Sequence, residues 1–277
     1  MVKIKKDNIL PTVFSILWSV LTLYPFITTL FSSLKNNDEI FGNMFAPPTV
    51  FRYQNYIDAI TGARMDRAIF NSLFVTSITT VMLVAVGSMA AYTLARFRYK
   101  ILNYIYVLFI LGIMLPIHST LIPLAKTVST TPWLGSNSFF TLMLIYTAFQ
   151  LPVTIFIITG FMRGISRELD EAATIDGCGP VRILFQIILP LAKPGIATAA
   201  IISYLFVYNE LIFAVIFLSK PVKFTISLAM LYFVGDRTMR MGPIFASIIL
   251  AVLPMICIYL IFSERVQKGM TAGAIKG

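Results

Sequence analysis

Six uninterrupted apolar stretches dominate this 277-residue chain, over residues 9–34, 69–95, 101–125, 139–162, 194–218 and 243–263. Each is about as long as the ~20 residues an α-helix needs to cross a hydrocarbon core. Overall, 58% of the residues are hydrophobic and 12% charged, against about 45–50% and about 25% in soluble domains. Lipid must therefore act as solvent for most of the chain. Only helices and closed barrels satisfy every backbone group in a bilayer, and these stretches are continuous rather than alternating as barrel strands are. The expected fold is all-α: a polytopic membrane protein with six transmembrane helices, forming one domain over residues 1–277.

An even number of spans puts both termini on one side. Thirteen of the 22 Lys and Arg fall on that side and nine on the other. The short loops discriminate best: Arg96, Arg98 and Lys100 lie within five residues without an acid, whereas residues 126–138 hold only Lys126. Both termini are expected to be cytoplasmic. Lys3, Lys5 and Lys6 ahead of the first stretch imitate a signal peptide, but that stretch is about 25 residues long and lacks an A-x-A site, so it is expected to remain as the first span. The net charge of +10 is read as topology signal and attraction to anionic lipid, not as a nucleic-acid surface. Cys178 and Cys257 fall at different membrane levels without ligand spacing, so neither a disulfide nor a metal site is expected.

Chemistry-bearing motifs are scarce. The chain holds no G-x-x-x-x-G-K-[ST] phosphate loop, H-E-x-x-H or G-x-S-x-G, so no enzyme active site is expected and no cofactor is expected to bind. The one histidine, His118, follows Pro116, where a helix can kink; it reads more readily as a polar residue packed between helices than as a cavity lining. Glu210 is the one acid clearly inside an apolar stretch, about 24 Å along the helix from Pro194 at 1.5 Å per residue. That depth suits either a water-filled path or the membrane interface.

The segment 163–193 differs from the rest. Residues 167–176 combine helix formers with four of the twelve acids and stop at Gly177, a residue suited to a left-handed helix cap. Pro180 suits the first turn of a second short helix, with Val181, Leu184, Phe185 and Ile188 spaced to form one apolar face. Ala172 and Ala173 are small enough to let a backbone approach another surface, and Glu171 and Asp176 can pair with bases there. The competing reading is an amphipathic connector on lipid headgroups, which four acids facing an anionic leaflet weaken.

Glu171-Ala172-Ala173, Asp176-Gly177, Ile187, Leu189-Pro190 and Pro194 together resemble the EAA loop of the membrane permease subunits of bacterial binding-protein-dependent ABC importers. The resemblance extends over nearly the whole chain and is nearest to the carbohydrate branch, similar to the second permease of maltose, multiple-sugar and raffinose systems. Supporting it are Phe51-Arg52-Tyr53-Gln54-Asn55-Tyr56, Asn71-Ser72, Ala91-Tyr92-Thr93-Leu94-Ala95-Arg96 and Tyr208-Asn209-Glu210. Ser166, Cys178 and Tyr208 stand where relatives commonly carry Pro, Ala and Trp.

The resemblance implies a type I ABC importer permease fold in the bacterial cytoplasmic membrane, with segment 163–193 forming coupling helices. Its implied partners are a second permease in a heterodimer, two ATP-binding subunits that use ATP, and an extracytoplasmic sugar-binding protein. Glu171 would pair with a base on the ATPase. Ala172, Ala173 and Gly177 would permit close seating beside Asp176, and Pro190 would set the angle at which the chain returns to the membrane. Asn209 and Glu210 are candidates for the pathway. Segment 219–242, with Lys220, Lys223, Arg237 and Arg240 against Asp236, corresponds to the loop that probes the binding protein, unless it is a solvated connector. Tyr146, Tyr204, Phe206 and Tyr208 could stack on sugar rings, although no single contact is assigned. The implied cargo is a di- or oligosaccharide; the alternative is a secondary transporter or channel working alone.

Overall fold

The structure, a computed structural model, describes the backbone of residues 9–235 and 240–274 and the side chains of residues 10–235 and 240–261. Lys3, Lys5, Lys6, Asp236 and Arg237 lie outside the described residues. All regular structure among the described residues is helical. Four helices are long and apolar enough to cross a membrane, and two bent helix pairs raise the number to as many as six. The chain divides into two compact units, one of Met1–Asp66 with Ala229–Pro254, the other of Arg67–Leu228 with Met255–Gly277.

In the first unit, α1 (Ile9–Ser33) is followed by the short α2 (Asn37–Gly42) and α3 (Gln54–Gly62), and later by the opening turns of α14 (Met241–Ala274). A polar knot holds them. Asn55 donates to the carbonyls of Ser33 and Lys35 at 2.9 and 2.8 Å, and the Tyr56 and Ser33 hydroxyls meet at 2.7 Å. The buried Lys35 ammonium donates to the carbonyls of Asn43 and Met44 at 2.9 and 3.2 Å, so its protons find acceptors without an acid. Gly242 packs so closely here that a Cβ would lie 2.6 Å from the Lys35 carbonyl oxygen.

The second unit holds most of α4 (Met65–Arg96), with α5 (Lys100–Ile113), α6 (Ile117–Thr130), α7 (Phe139–Arg163) and α11 (Lys193–Asn209). α7 is apolar on every face, which suits a helix surrounded by others, and it packs against both α5 and α11. The Thr154 and Ser203 hydroxyls meet at 3.0 Å across the α7–α11 seam, while Thr154 also donates to the Gln150 carbonyl. The start of α4 is tied down by Asn71, which donates to the carbonyls of Val222 and Phe224 at 3.0 Å each. Beside it, Ser72 accepts from the Ile226 N–H at 2.7 Å.

Two apolar stretches depart from single helices. Stretch 101–125 breaks into α5 and α6, which turn through 102°. Pro116 lacks an N–H and disfavours helical backbone at Leu115, so the helix stops ahead of it. His118, expected to pack between helices, is exposed in the first turn of α6. Stretch 194–218 breaks after Asn209 into a six-residue helix, α12 (Ile212–Phe217).

Candidate functional site

The acid-rich segment folds as α8 (Glu168–Ile175), then α9 (Pro180–Ile183), a π-turn over Leu184–Ile188 and the single turn α10 (Leu189–Leu191). Glu168, Asp170 and Glu171 occupy the first turn of α8, where negative charge meets the positive end of the helix dipole. α8 ends because Gly177 turns left-handed, at φ +77°, as a chain reversal there requires. The Cys178 N–H bonds the Ala173 carbonyl at 2.9 Å and closes the turn.

α8 has two distinct faces. Glu168, Glu171, Ala172 and Ile175 form an exposed stripe at the helical spacing of three and four, with Ile175 86% exposed, and Asp176 is exposed just beyond. Asp170 and Ala173 point the other way. Ala173, expected on the docking face with Ala172, is buried in the chain's own core with Ala91, Tyr92 and Ala95 of α4 and Ile158 and Met162 of α7. Its small side chain lets α8 approach the ends of those helices.

The apolar face expected in α9 is also redistributed. Ile183, Leu184 and Ile188 are buried, whereas Val181 and Phe185 are exposed. The π-turn is the reason: the Leu189 N–H bonds the Leu184 carbonyl, and the wider turn brings residues five apart onto one face. Pro190 is exposed beside a groove of about 380 Å³ that it shares with Val84, Ser88 and Phe185. Two residues on, at Ala192, the chain bends by 76° into α11.

Arginines fasten the segment from behind. Arg96 reaches Asp170 at 3.3 Å and donates to the Ile165 carbonyl at 2.9 Å. Arg167 and Arg163 donate to the carbonyls of Ala95 and Leu94 at 3.3 and 3.5 Å, answering the last turn of α4, and Arg163 also lies 4.4 Å over the Tyr106 ring. Reading the sequence for topology credits Arg96 only as a positive-inside signal. Its partner Asp170 carries no sequence signal beyond its place among acids.

The second candidate region is the break before α12. Glu210, placed by sequence at a water path or an interface, is buried within the chain. It is 8% exposed and accepts hydrogen bonds from the Tyr146 hydroxyl at 2.7 Å and from the N–H groups of Phe213 and Ala214 at 2.9 and 3.3 Å. The carboxylate thus caps α12 and ties it to α7. Asn209 is exposed beside it and donates to the Leu205 carbonyl. Tyr146 and Tyr208 are buried and closed to stacking on a ligand, whereas Tyr204 helps line a groove of about 910 Å³ with Ser77, Thr80 and Tyr259.

Segment 219–242 carries regular structure among its described residues. It contains a short turn at Pro221–Lys223 and the apolar helix α13 (Ile226–Gly235), on which Leu231, Tyr232 and Val234 are exposed. Asn137 fixes its start by accepting from the N–H groups of Ser219 and Lys220 at 2.6 and 2.8 Å. Arg240 pairs with Asp58 of α3.

The sequence model described as the binding-protein-dependent transport system inner membrane component matches residues 83–272. A putative ABC transporter permease of a Caldicellulosiruptor strain is 35% identical over 266 residues, covering 96% of each chain. The melibiose/raffinose/stachyose import permease of Bacillus subtilis is 32% identical over 254 residues, covering 91% of each. A solved bacterial ABC transporter that imports the acidic polysaccharide alginate has a chain superposing with a TM-score of 0.77 at 17% identity, covering 95% of this chain and 99% of that one. That superposition places the helical arrangement among ABC importer permeases.

Proposed function

This chain belongs to the binding-protein-dependent transport inner membrane component family, and from that premise we propose that it is half of the translocation pathway of an ATP-driven sugar importer. It is a transport subunit, not an enzyme. It pairs with a second, similar permease, and segment 163–193 couples it to one of two separate ATPase subunits. The carrying observation is the division of α8 into an outward stripe of Glu168, Glu171, Ala172 and Ile175 and an inward face seated on α4 and α7. A connector lying on lipid has no use for exposed acids around an exposed isoleucine. A peg entering a protein cleft uses both, the acids for pairing with bases and Ile175 for burial.

On this reading Glu171 and Asp176 meet bases of the ATPase, Ala172 permits close seating, and Gly177 sets the turn behind them. Pro190 stands just before the 76° bend and helps direct α11 into the membrane. The exposed part of α13 meets the extracytoplasmic binding protein. In the pathway, Asn209 is the residue available to a sugar, while Glu210 contributes by holding the helix break. The import of melibiose, raffinose and stachyose by the Bacillus relative supports an oligosaccharide as cargo. Both termini are cytoplasmic on this reading, which the basic short loops support. A carrier working alone is disfavoured by membership of a binding-protein-dependent family.

The test is co-purification of the ATPase with the native chain and with Glu171→Lys and Gly177→Val, alongside ATP-dependent uptake of labelled raffinose and melibiose. Loss of association by both variants with unchanged membrane insertion is expected. Normal association and uptake by both would reduce the segment to a connector.

A further inference from the structure

We propose that Arg96 and Asp170 are positioning residues that pin α8 to the end of α4, so that displacement of the coupling segment moves α4 with it. This rests on the function proposed above and goes beyond the docking face to the route the motion takes inside the chain. Arg96 is the last residue of α4 and Asp170 lies in the first turn of α8. The Arg96 side chain is 6% exposed and that of Asp170 20%. Both Asp170 oxygens, and Nε and Nη2 of Arg96, are buried without a hydrogen-bond partner, so the 3.3 Å ion pair is what answers those charges. Removing either member strands the other, the situation in which a buried pair matters most.

The surroundings make the pair directional. Arg96, Arg98 and Arg167 line one groove of about 420 Å³ against Asp170 and Glu171. Glu171 is exposed, whereas Asp170 forms the ion pair with the Arg96 guanidinium in that groove. Ala173, one turn further along α8, adds apolar contact with Ala91, Tyr92 and Ala95 of the same helix. α8 therefore meets a partner through one stripe and α4 through the other. Apolar contact alone permits sliding; an ion pair with a fork hydrogen-bonded to the Ile165 carbonyl resists it.

The experiment uses the assembled transporter in lipid nanodiscs, with Cys178 and Cys257 replaced by Ser and spin labels on cysteines at the exposed positions Thr93 and Thr174. The distance distribution between the labels is measured without nucleotide and with ATP plus vanadate. In the native background one distribution is expected in both states. In Asp170→Asn the distribution is expected to broaden by at least about twofold on adding ATP plus vanadate, with ATPase co-purification retained. Asp170→Glu should restore the narrow distribution, which a loss of folding alone would not explain. If Asp170→Asn does not accumulate, Arg96→Lys keeps the charge but loses the fork and should broaden to a smaller extent. An unchanged distribution in the variant that assembles overturns the pin. Failure of the ATPase to co-purify with the native chain instead removes the function proposed above, and the pin with it.

Discussion

At the residue scale, Glu210 and Tyr146 give the clearest separation between a pathway acid and a cap. Tyr146→Phe removes one of three donors to the carboxylate, a loss of about 1.5–3 kcal/mol for a hydrogen bond to a charged acceptor. Glu210→Ala strands the Tyr146 hydroxyl and two backbone N–H groups together, so it should destabilise the detergent-solubilised chain more than Tyr146→Phe does. Glu210→Gln keeps an acceptor oxygen and should fall between wild type and alanine in melting temperature. The reverse order, with glutamine as damaging as alanine, would mean that the charge and not the cap is required. Asp58, outside the spans, offers a pH test. Its hydrogen bond from Gln54, and then the Arg240 guanidinium, hold its carboxyl below the ordinary value of 3.8. Lowered folded pKa means stability that is present above 3.8 and lost as pH falls through the folded value. Melting temperatures of wild type and Asp58→Asn should therefore differ slightly at pH 6 and converge below about pH 4. The difference should be small, because Arg240 is 59% exposed and solvent screens the pair.

At the scale of elements, two glycines set how segment 163–193 joins the bundle. At Gly177 an added side chain meets nothing, so the whole cost is left-handed backbone, about 1–2 kcal/mol. Gly177→Asn, which tolerates that conformation, should co-purify with the ATPase nearly as wild type does, while Gly177→Val should not. Gly195, at the start of α11, is different. A Cβ there would lie 2.3 Å from Cγ and 2.5 Å from Cβ of Phe161, so α11 and α7 would have to part. Gly195→Ala should cost about 1–3 kcal/mol as overpacking, read as a lower melting temperature; an unchanged value would show that the α7–α11 seam can yield. Only one of the two glycines advertises its reason locally. Gly177 stands where a helix of acids ends, which sequence pattern can detect, but the need for Gly195 comes from an aromatic ring on another helix.

For the whole molecule, the prediction concerns the energy source. With the binding protein and ATPase present, vanadate should abolish raffinose or melibiose uptake, while collapsing the proton gradient at constant ATP should leave it nearly unchanged. The opposite pattern would favour a carrier working alone. The chain's length of apolar sequence, its lack of a phosphate loop and its acid-rich segment 163–193 were all legible in the sequence, because each is a property of composition or of local spacing within about 20 residues. So were the helices α8 and α9 and the turn at Gly177, which follow from propensity and capping. Which alanine of the pair faces outward, why the third and fifth stretches break as they do, and what Arg96 and Glu210 accomplish were decided by tertiary structure. Arg96 meets a carbonyl 69 residues away and Glu210 a hydroxyl 64 residues away. Local sequence can state that such groups are charged and close to a helix end; only the packing of distant helices determines which buried partner answers each charge.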